Sequence, residues 1–400
     1  MASAPSASLR MPPTSRGPLV ATALLLCTVF FAYSTRGSQY HLLSAPQHGT
    51  RGRVVFPLFD PSAAHSTVPA ARAILENALT FVAIGDWGRR GSGGQEETAP
   101  ALAAWAAATG AAFVVSVGDN MYNNGVEPDA TAAEADSKLR AFFTNVYDQP
   151  ALKTLPWYVI LGNHDYRGAI EPQLSWRGDD RWHPGLTFAH TWPLPHAAAG
   201  SKACLSAVFT DTTPLIGYYR TPSERKRLPV LSTNLDAATP DATVAWTIEA
   251  VDRAARECDA VFVIGHHPLY SPGEHADTPD LIRAFGDTFE SKGVDAYLSG
   301  HDHILAHSRK PGGSVEHVLT GAGSEVLPEL AGDGKSTLFV ATVRGFTVHS
   351  VNATHTLHSY VHAAVDTLET APGLPGRIVF QVLKDLRKKQ RTTDNTPIGK

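Results

Sequence analysis

Five short blocks hold most of the residues able to do chemistry. They are Gly85-Asp86-Trp87-Gly88, Gly118-Asp119-Asn120-Met121-Tyr122, Gly162-Asn163-His164-Asp165, Gly265-His266-His267-Pro268 and Gly300-His301-Asp302-His303. Each opens with Gly and offers a carboxylate, amide, imidazole or phenol. Each also follows an apolar run: Leu79 to Ile84, Phe113 to Val117, Trp157 to Leu161, Ala260 to Ile264 and Ala296 to Leu298. Parallel strands end together at one rim of a sheet, and ligands bind there. One rim would therefore gather two Asp, a Tyr, an Asn and at least three His, an inventory that suits a pair of metal ions.

The positioning elements follow from pattern. From about Ala78 to Ala364, strand-like runs alternate with helix-like stretches, among them Thr98 to Thr109, Thr131 to Phe143 and Ala242 to Glu257. This β–α–β order predicts an α/β fold with a mainly parallel sheet. After His303, short alternating runs (His317 to Thr320, Leu338 to Val343, Phe346 to Val351, His355 to His362) predict a second sheet packed on the first. His349, His355, His358 and His362 read as the solvent face of a β-pair. His183, His190 and His196 sit with Trp182 and Trp192 in what reads as an ordered aromatic loop. Thr212 to Asp241 reads as a long polar loop containing Arg225-Lys226-Arg227.

The flanks differ from this middle. Arg10 and Arg16 precede the apolar stretch Leu19 to Tyr33, the layout of a secretory signal, with Ser34 a possible cleavage point. Residues 1–34 are thus read as a signal peptide or an uncleaved signal anchor, 35–76 as a linker, 77–365 as the catalytic domain, and 366–400 as a basic tail. Within the tail, Ile378 to Arg391 reads as a solvated amphipathic helix. Asn352-Ala353-Thr354 is a glycosylation sequon. The chain has 400 residues, 43% of them hydrophobic, which allows a large core. Its formal net charge of −4 argues against nucleic acid as a main partner. Three Cys exclude a disulfide scaffold. Cys204 and Cys258 open two strands, and if these are parallel neighbours a bridge opposite the metal rim is possible.

Asp86 and Asp119 end consecutive strands, so their carboxylates can meet, and Asp119 could bridge two ions. Common metallophosphoesterases carry Asp-x-His in the first block, whereas here the third position is Gly88. Tyr122 is the obvious replacement ligand, and a hard phenolate suits Fe(III). In these residues, and in Phe81 to Gly88, Gly118 to Val126, Leu155-Pro156-Trp157-Tyr158 and Thr320-Gly321-Ala322-Gly323, the chain resembles a purple acid phosphatase of the small, tartrate-resistant type.

The resemblance implies a metallophosphoesterase fold of two packed mixed β-sheets flanked by helices. It implies Asp86, Asp119, Tyr122 and His303 as ligands of Fe(III). Asp119 would be shared with a divalent ion (Fe, Zn or Mn) held by Asn163, His266 and His301. Such a centre clamps a phosphate and generates hydroxide to attack phosphorus. His164 would face the phosphate oxygens, and Asp165 would fix its loop through an imidazole or a backbone amide. His275 would protonate the leaving group, with Glu274 holding its charge and tautomer. His267 stands where the family often has Tyr. The loop 212–241 would overhang the site as a cleavable lid.

The expected substrates are small phosphate monoesters or phosphoproteins, hydrolysed at acid pH. The expected place is the secretory pathway: secreted, vacuolar or lysosomal, or membrane-anchored through residues 19–33 with a luminal catalytic domain. A neutral Zn/Mn phosphodiesterase or nucleotidase on the same fold is the alternative.

Overall fold

A computed structural model describes residues 77–195, 202–363 and 376–386. The expected signal or anchor, the linker, His196 and the tail after 386 lie outside the described residues. Along the chain run β1 (Leu79–Ile84), β2 (Val114–Ser116), β3 (Trp157–Val159), β4 (Trp182–Pro184), β5 (Phe188–Pro193), β6 (Cys204–Phe209) and β7 (Ala260–Ile264). They continue with β8 (Ala296–Ser299), β9 (Leu305–Ser308), β10 (Glu316–Thr320), β11 (Thr337–Ala341), β12 (Gly345–Val351), β13 (His355–His362) and β14 (Arg377–Asp385). Two seven-stranded sheets form, ordered β14-β13-β12-β1-β2-β3-β4 and β11-β9-β10-β8-β7-β6-β5.

The first sheet is parallel across β1, β2, β3 and β4. The second is parallel across β6, β7, β8 and β10. Strands β1 and β7 are covered on both faces, which is why they read as unbroken apolar runs. Phe81, Phe113, Phe209, Phe262, Leu298 and Tyr360 fill the layer between the sheets. Trp87, Leu102, Phe143, Trp157 and Trp182 pack on the outer side of the first sheet. Leu231, Val251 and Tyr297 do so on the second.

Local signals fix the helices that space these strands. Helix Gln95–Thr109 carries Glu96 and Glu97 in its first turn and stops at Gly110, whose left-handed backbone closes it. Helix Ala132–Leu139 begins with a reciprocal capping box between Thr131 and Glu134. The expected helix over 242–257 is Pro240–Glu257. Cys204 and Cys258 form a disulfide beside the paired starts of β6 and β7. That end of the sheet is opposite the Gly-led blocks.

Five readings are corrected. The late strands do not form one sheet: β8 to β11 belong to the second, while β12 to β14 extend the first beyond β1. The segment expected to begin an amphipathic tail helix is instead strand β14, paired along its length with β13. Ile378, Val379, Phe380, Val382 and Leu383 are β-formers, and Phe380 stacks on Phe339 of the other sheet with ring centroids 4.4 Å apart. The segment 212–241 is largely helical, with Pro222–Arg227 and Pro229–Ala237. Leu231 and Leu235 are buried, and Asn234 donates to the Tyr166 and Gly168 carbonyls. Its basic triplet lies in the first of these helices, where Arg225 pairs with Asp236 and Arg227 with Glu224.

His349 and His358 do not face solvent. Both are fully buried in the inter-sheet layer, Nδ1 to Nδ1 at 2.8 Å, with His349 stacked on Phe81. Trp182 and Trp192 lie in strands β4 and β5 rather than in a loop.

Candidate metal centre

Five strand ends deliver the Gly-led blocks to one place. The Gly85 amide donates to the Thr320 carbonyl at 2.9 Å, which ties the rims of the two sheets together, and the Asp86 amide donates to Gly118 at 3.0 Å between the ends of β1 and β2. Asp86, Asp119 and His301 adopt left-handed backbone, with φ of 59°, 54° and 73°. Non-glycine residues pay roughly 1–3 kcal/mol for such conformations, and they cluster where function demands a direction. Gly300 is required beside them, since a Cβ there would collide with the Asp86 carboxylate.

The donors fall into two sets. In the first, the Tyr122 hydroxyl lies 3.1 Å from Asp86 Oδ1 and 2.8 Å from His303 Nε2. His303 Nε2 is 3.6 Å from Asp86 Oδ1. Gly88 explains why a Tyr and not a second His fills this place: a Cβ at Gly88 would run into the Asn120 carbonyl. In the second set, Asn163 Oδ1 lies 3.1 Å from His266 Nε2 and 3.0 Å from His301 Nδ1. Asp119 borders both sets, since Oδ1 is 3.4 Å from His266 Nε2 and ligand atoms of Asp86, Asp119 and His266 lie within 4.8 Å of one another. His301 and His303, two apart in a bent loop, point to different sets.

Proton positions make a cation the fitting occupant. His266 Nδ1 donates to the Val117 carbonyl at 2.9 Å, so Nε2 presents a lone pair toward Asn163 Oδ1. Two acceptors at that distance repel unless a positive charge joins them. Burial and the neighbouring Asp119 push the Asp86 carboxyl well above the usual carboxylate range. Burial also acts upward on Asp119, but the His266 and His164 imidazoles and the His164 amide outweigh it and hold that carboxyl low. Burial, Asp119 and Asp86 push the Tyr122 phenol well up. A strongly Lewis-acidic ion is what would relieve Asp86 and Tyr122, with the Asp119 carboxylate already ionised beside it.

His266, His267 and His301 also converge, but hydrogen bonding removes His267 from candidacy. Thr212 Oγ1 accepts from the His266 and His267 amides at 3.2 and 3.1 Å. Its own proton therefore goes to His267 Nδ1 at 2.9 Å, and His267 Nε2–H donates to the Tyr219 hydroxyl at 2.9 Å. Both ring nitrogens are occupied, and the ring packs behind His301 at 4.3 Å instead of lining an open pocket.

The outer residues are placed as follows. Asp165 is fully buried and accepts from the Gly162, Asn120 and Met121 amides and from Gln173. This fixes the third block, as the sequence suggests. The His164 amide donates to Asp119 Oδ1, and its Nδ1 donates to the Asn123 carbonyl at 2.7 Å. Burial pulls the His164 imidazole down to about 4. Its Nε2 is thus a lone pair rather than a donor at most pH values.

Two carboxylates lie beside His275, Glu274 and one the sequence reading did not single out, Asp302. His275 Nδ1 donates to Asp302 Oδ1 at 2.7 Å, and the His275 amide donates to the same oxygen at 3.0 Å. Glu274 stands 3.9 Å from Nε2 with its side chain 37% exposed. Burial lowers the His275 imidazole, yet the Asp302 hydrogen bond and charge, with the Glu274 charge behind them, outweigh it and hold the imidazole above its usual value. Asp302 is therefore the positioning carboxylate, and Ser271 Oγ donates to its other oxygen. It sits between His301 and His303 in the fifth block, and that place between two candidate ligands was the available signal. Thr212 and Tyr219 carried no local sequence signal at all.

The calcineurin-like phosphoesterase model matches residues 79–305. Purple acid phosphatase 17 of Arabidopsis thaliana is 32% identical over 265 residues, covering 62% of this chain and 70% of that protein. Tartrate-resistant acid phosphatase type 5 of Rattus norvegicus is 31% identical over 277 residues, 68% of this chain and 78% of its own length. Among solved structures, Plasmodium GAP50, described as the anchor in the inner membrane complex, superposes with a TM-score of 0.63 over 77% of this chain and 89% of its own. Its identity to this chain is 18%. Purple acid phosphatase PPD1 of yellow lupin superposes at 0.51 over 76% of this chain and 53% of its own, with 13% identity. At those identities the likeness is one of fold.

Proposed function

The chain belongs to the calcineurin-like phosphoesterase family and is an enzyme of the acid phosphatase type, and we propose that it hydrolyses phosphate monoesters, small or on proteins, in acid. Asp86, Asp119, Tyr122 and His303 would hold Fe(III). Asn163, His266 and His301, with Asp119 shared, would hold a divalent Fe, Zn or Mn. The observation that carries this is the Tyr122 hydroxyl, set between Asp86 and His303 where Gly88 leaves no room for an imidazole. When bound, the pair of ions supplies Lewis acidity to the phosphoryl oxygens and acidifies water.

The chain's own residues do the rest. His275, beside His301 with ring centroids 4.2 Å apart, keeps its Nδ1 proton on Asp302 and has Nε2 free to protonate the departing oxygen. Half-exposed, it can meet leaving groups of varied size. His164, anchored by its amide to Asp119 and by Nδ1 to Asn123, sets one wall beside Tyr122. Asp165 holds the Asn163 loop rigid from below.

We place the enzyme in the secretory pathway, a reading supported by the Cys204–Cys258 disulfide, which an oxidising compartment preserves. No helix among the described residues is long and apolar enough to cross a membrane.

The test is a visible spectrum of purified protein with iron quantified in the same sample. A violet or pink band lost in Tyr122→Phe is the expected result. A colourless protein fully loaded with zinc or manganese, active on diesters or nucleotides at neutral pH, would replace this reading with the neutral phosphodiesterase or nucleotidase one. Phosphate release that survives Asn163→Ala and His301→Ala would remove the catalytic assignment.

A further inference from the structure

Arg89 follows Gly88 directly and belongs to none of the roles above. Its guanidinium carbon lies 3.9 Å from the centroid of the Tyr122 ring, over the face. Nη2 pairs with Glu325 at 2.7 Å, and Nη1 leans toward Asn123 Oδ1 at 3.4 Å. Nε is buried without a hydrogen-bond partner. The backbone is held too, since the Arg89 amide donates to Gln95 Oε1 at 3.1 Å.

This arrangement decides between two roles for a cation at the mouth of a phosphatase site. A substrate-binding arginine presents its donor edge to the pocket. Here one corner is spent on Glu325, another faces Asn123, Nε is closed off, and the flat face is turned to Tyr122. What the guanidinium offers the site is its charge above an aromatic ring. A cation in that position is attracted by the electron-rich face, and more so when the ring becomes a phenolate. Glu325 comes from the loop after β10, which also holds the site through Ser324 Oγ to the Asp86 carbonyl. The Arg89–Glu325 pair thus spans two loops and fixes the guanidinium over one ligand.

We propose that Arg89 is a positioning residue that stabilises the Tyr122 phenolate and sets how strongly it donates to the ferric ion, with Glu325 holding Arg89 in place. This rests on the Fe(III)–Tyr122 reading. The colour of such a centre comes from moving electron density off the phenolate ring onto iron. A cation over the ring lowers the energy of the starting state more than that of the product. Removing it narrows the gap and moves the band to longer wavelength.

The experiment compares visible spectra of iron-loaded full chain for wild type, Arg89→Met, Arg89→Lys and Glu325→Gln, each with iron content measured. Arg89→Met keeps the bulk over the ring and deletes the charge. Its band should move to longer wavelength by on the order of 20 nm, and Arg89→Lys should recover part of that shift. Where the methionine variant fails to retain iron, Glu325→Gln answers from the opposite side. Its amide oxygen still accepts from Nη2 and keeps the guanidinium over the ring, while loss of the carboxylate charge raises the net positive charge there and should move the band to shorter wavelength. A wild-type band that stays in place in every variant that keeps iron overturns the inference and leaves the Fe(III)–Tyr122 reading standing. A wild type that binds iron and shows no band removes both.

Discussion

Replacing Asp302 by Asn tests the leaving-group arrangement most directly. Asn keeps the shape and an acceptor oxygen for His275 Nδ1, while deleting the buried charge behind it. A hydrogen bond to a charged partner is worth about 1.5–3 kcal/mol. Asn still accepts, as a neutral partner worth about 0.5–1.5 kcal/mol, so about 1–1.5 kcal/mol of preference for the imidazolium is lost. The His275 side chain is 43% exposed, so solvent screening keeps the loss at the low end of that range. The sign follows from the direction: Asp302 holds His275 above its usual value, so its loss makes His275 shed its proton at lower pH.

The alkaline limb of the kcat–pH profile should move acidward for an alkyl phosphate, whose poor leaving group needs the proton, and the rate on that limb should fall by about fivefold to tenfold. It should barely move for a nitrophenyl phosphate, whose leaving group does not. Well below the limb the variant should approach wild-type rate. Glu274→Gln should shift the limb by less than half as much, given its 3.9 Å separation and exposure. An alkaline limb unchanged in Asp302→Asn, or one moved further by Glu274→Gln, would falsify the assignment of Asp302 as the positioning carboxylate.

Three other outcomes are expected. Gly88→Ala should cost iron binding and colour, because its Cβ meets the Asn120 carbonyl and pushes Tyr122 off its place; metal analysis and the visible band check this. Cys204→Ala with Cys258→Ala, which opens a link across a sequence separation of 54, should lower unfolding stability by about 2–4 kcal/mol in a urea titration. The buried His349–His358 pair should make the fold acid-sensitive. Burial and its neighbours hold His358 down to about 3, while an unfolded His titrates near ~6.5. The unfolded chain therefore binds the extra proton below that value, and stability falls from pH ~6.5 downward, by up to ~2 kcal/mol at pH 5. His358→Gln should flatten the pH dependence of the denaturation midpoint between pH 7 and 5. An equally steep dependence in that variant would place the acid sensitivity elsewhere.

Much of the centre was legible in order of residues alone. Asp86, Asp119, Asn163, His266 and His301 each end an apolar run behind a Gly. A parallel sheet must bring such ends to one rim, whatever the details of packing. Tyr122 was legible because Gly88 empties the place it fills. The same logic located the helices Gln95–Thr109 and Pro240–Glu257, where amphipathic or Ala-rich runs carry their own start and stop signals.

What the chain could not announce were relations set by direction in space. Glu274 adjoins His275 in sequence and stays 3.9 Å from its Nε2, while Asp302 from the fifth block arrives at Nδ1 at 2.7 Å. His349 and His358 alternate with apolar residues as solvent-facing residues would. Only the second sheet, closing over that face, makes them buried. Ile378 to Leu383 satisfies a helical stripe and a strand alike, and the free edge of β13 decided for the strand. Local periodicity specifies an element and which residues share its face. Which face is buried, and which charge meets which ring, depends on elements far away in sequence, and packing alone brings those together.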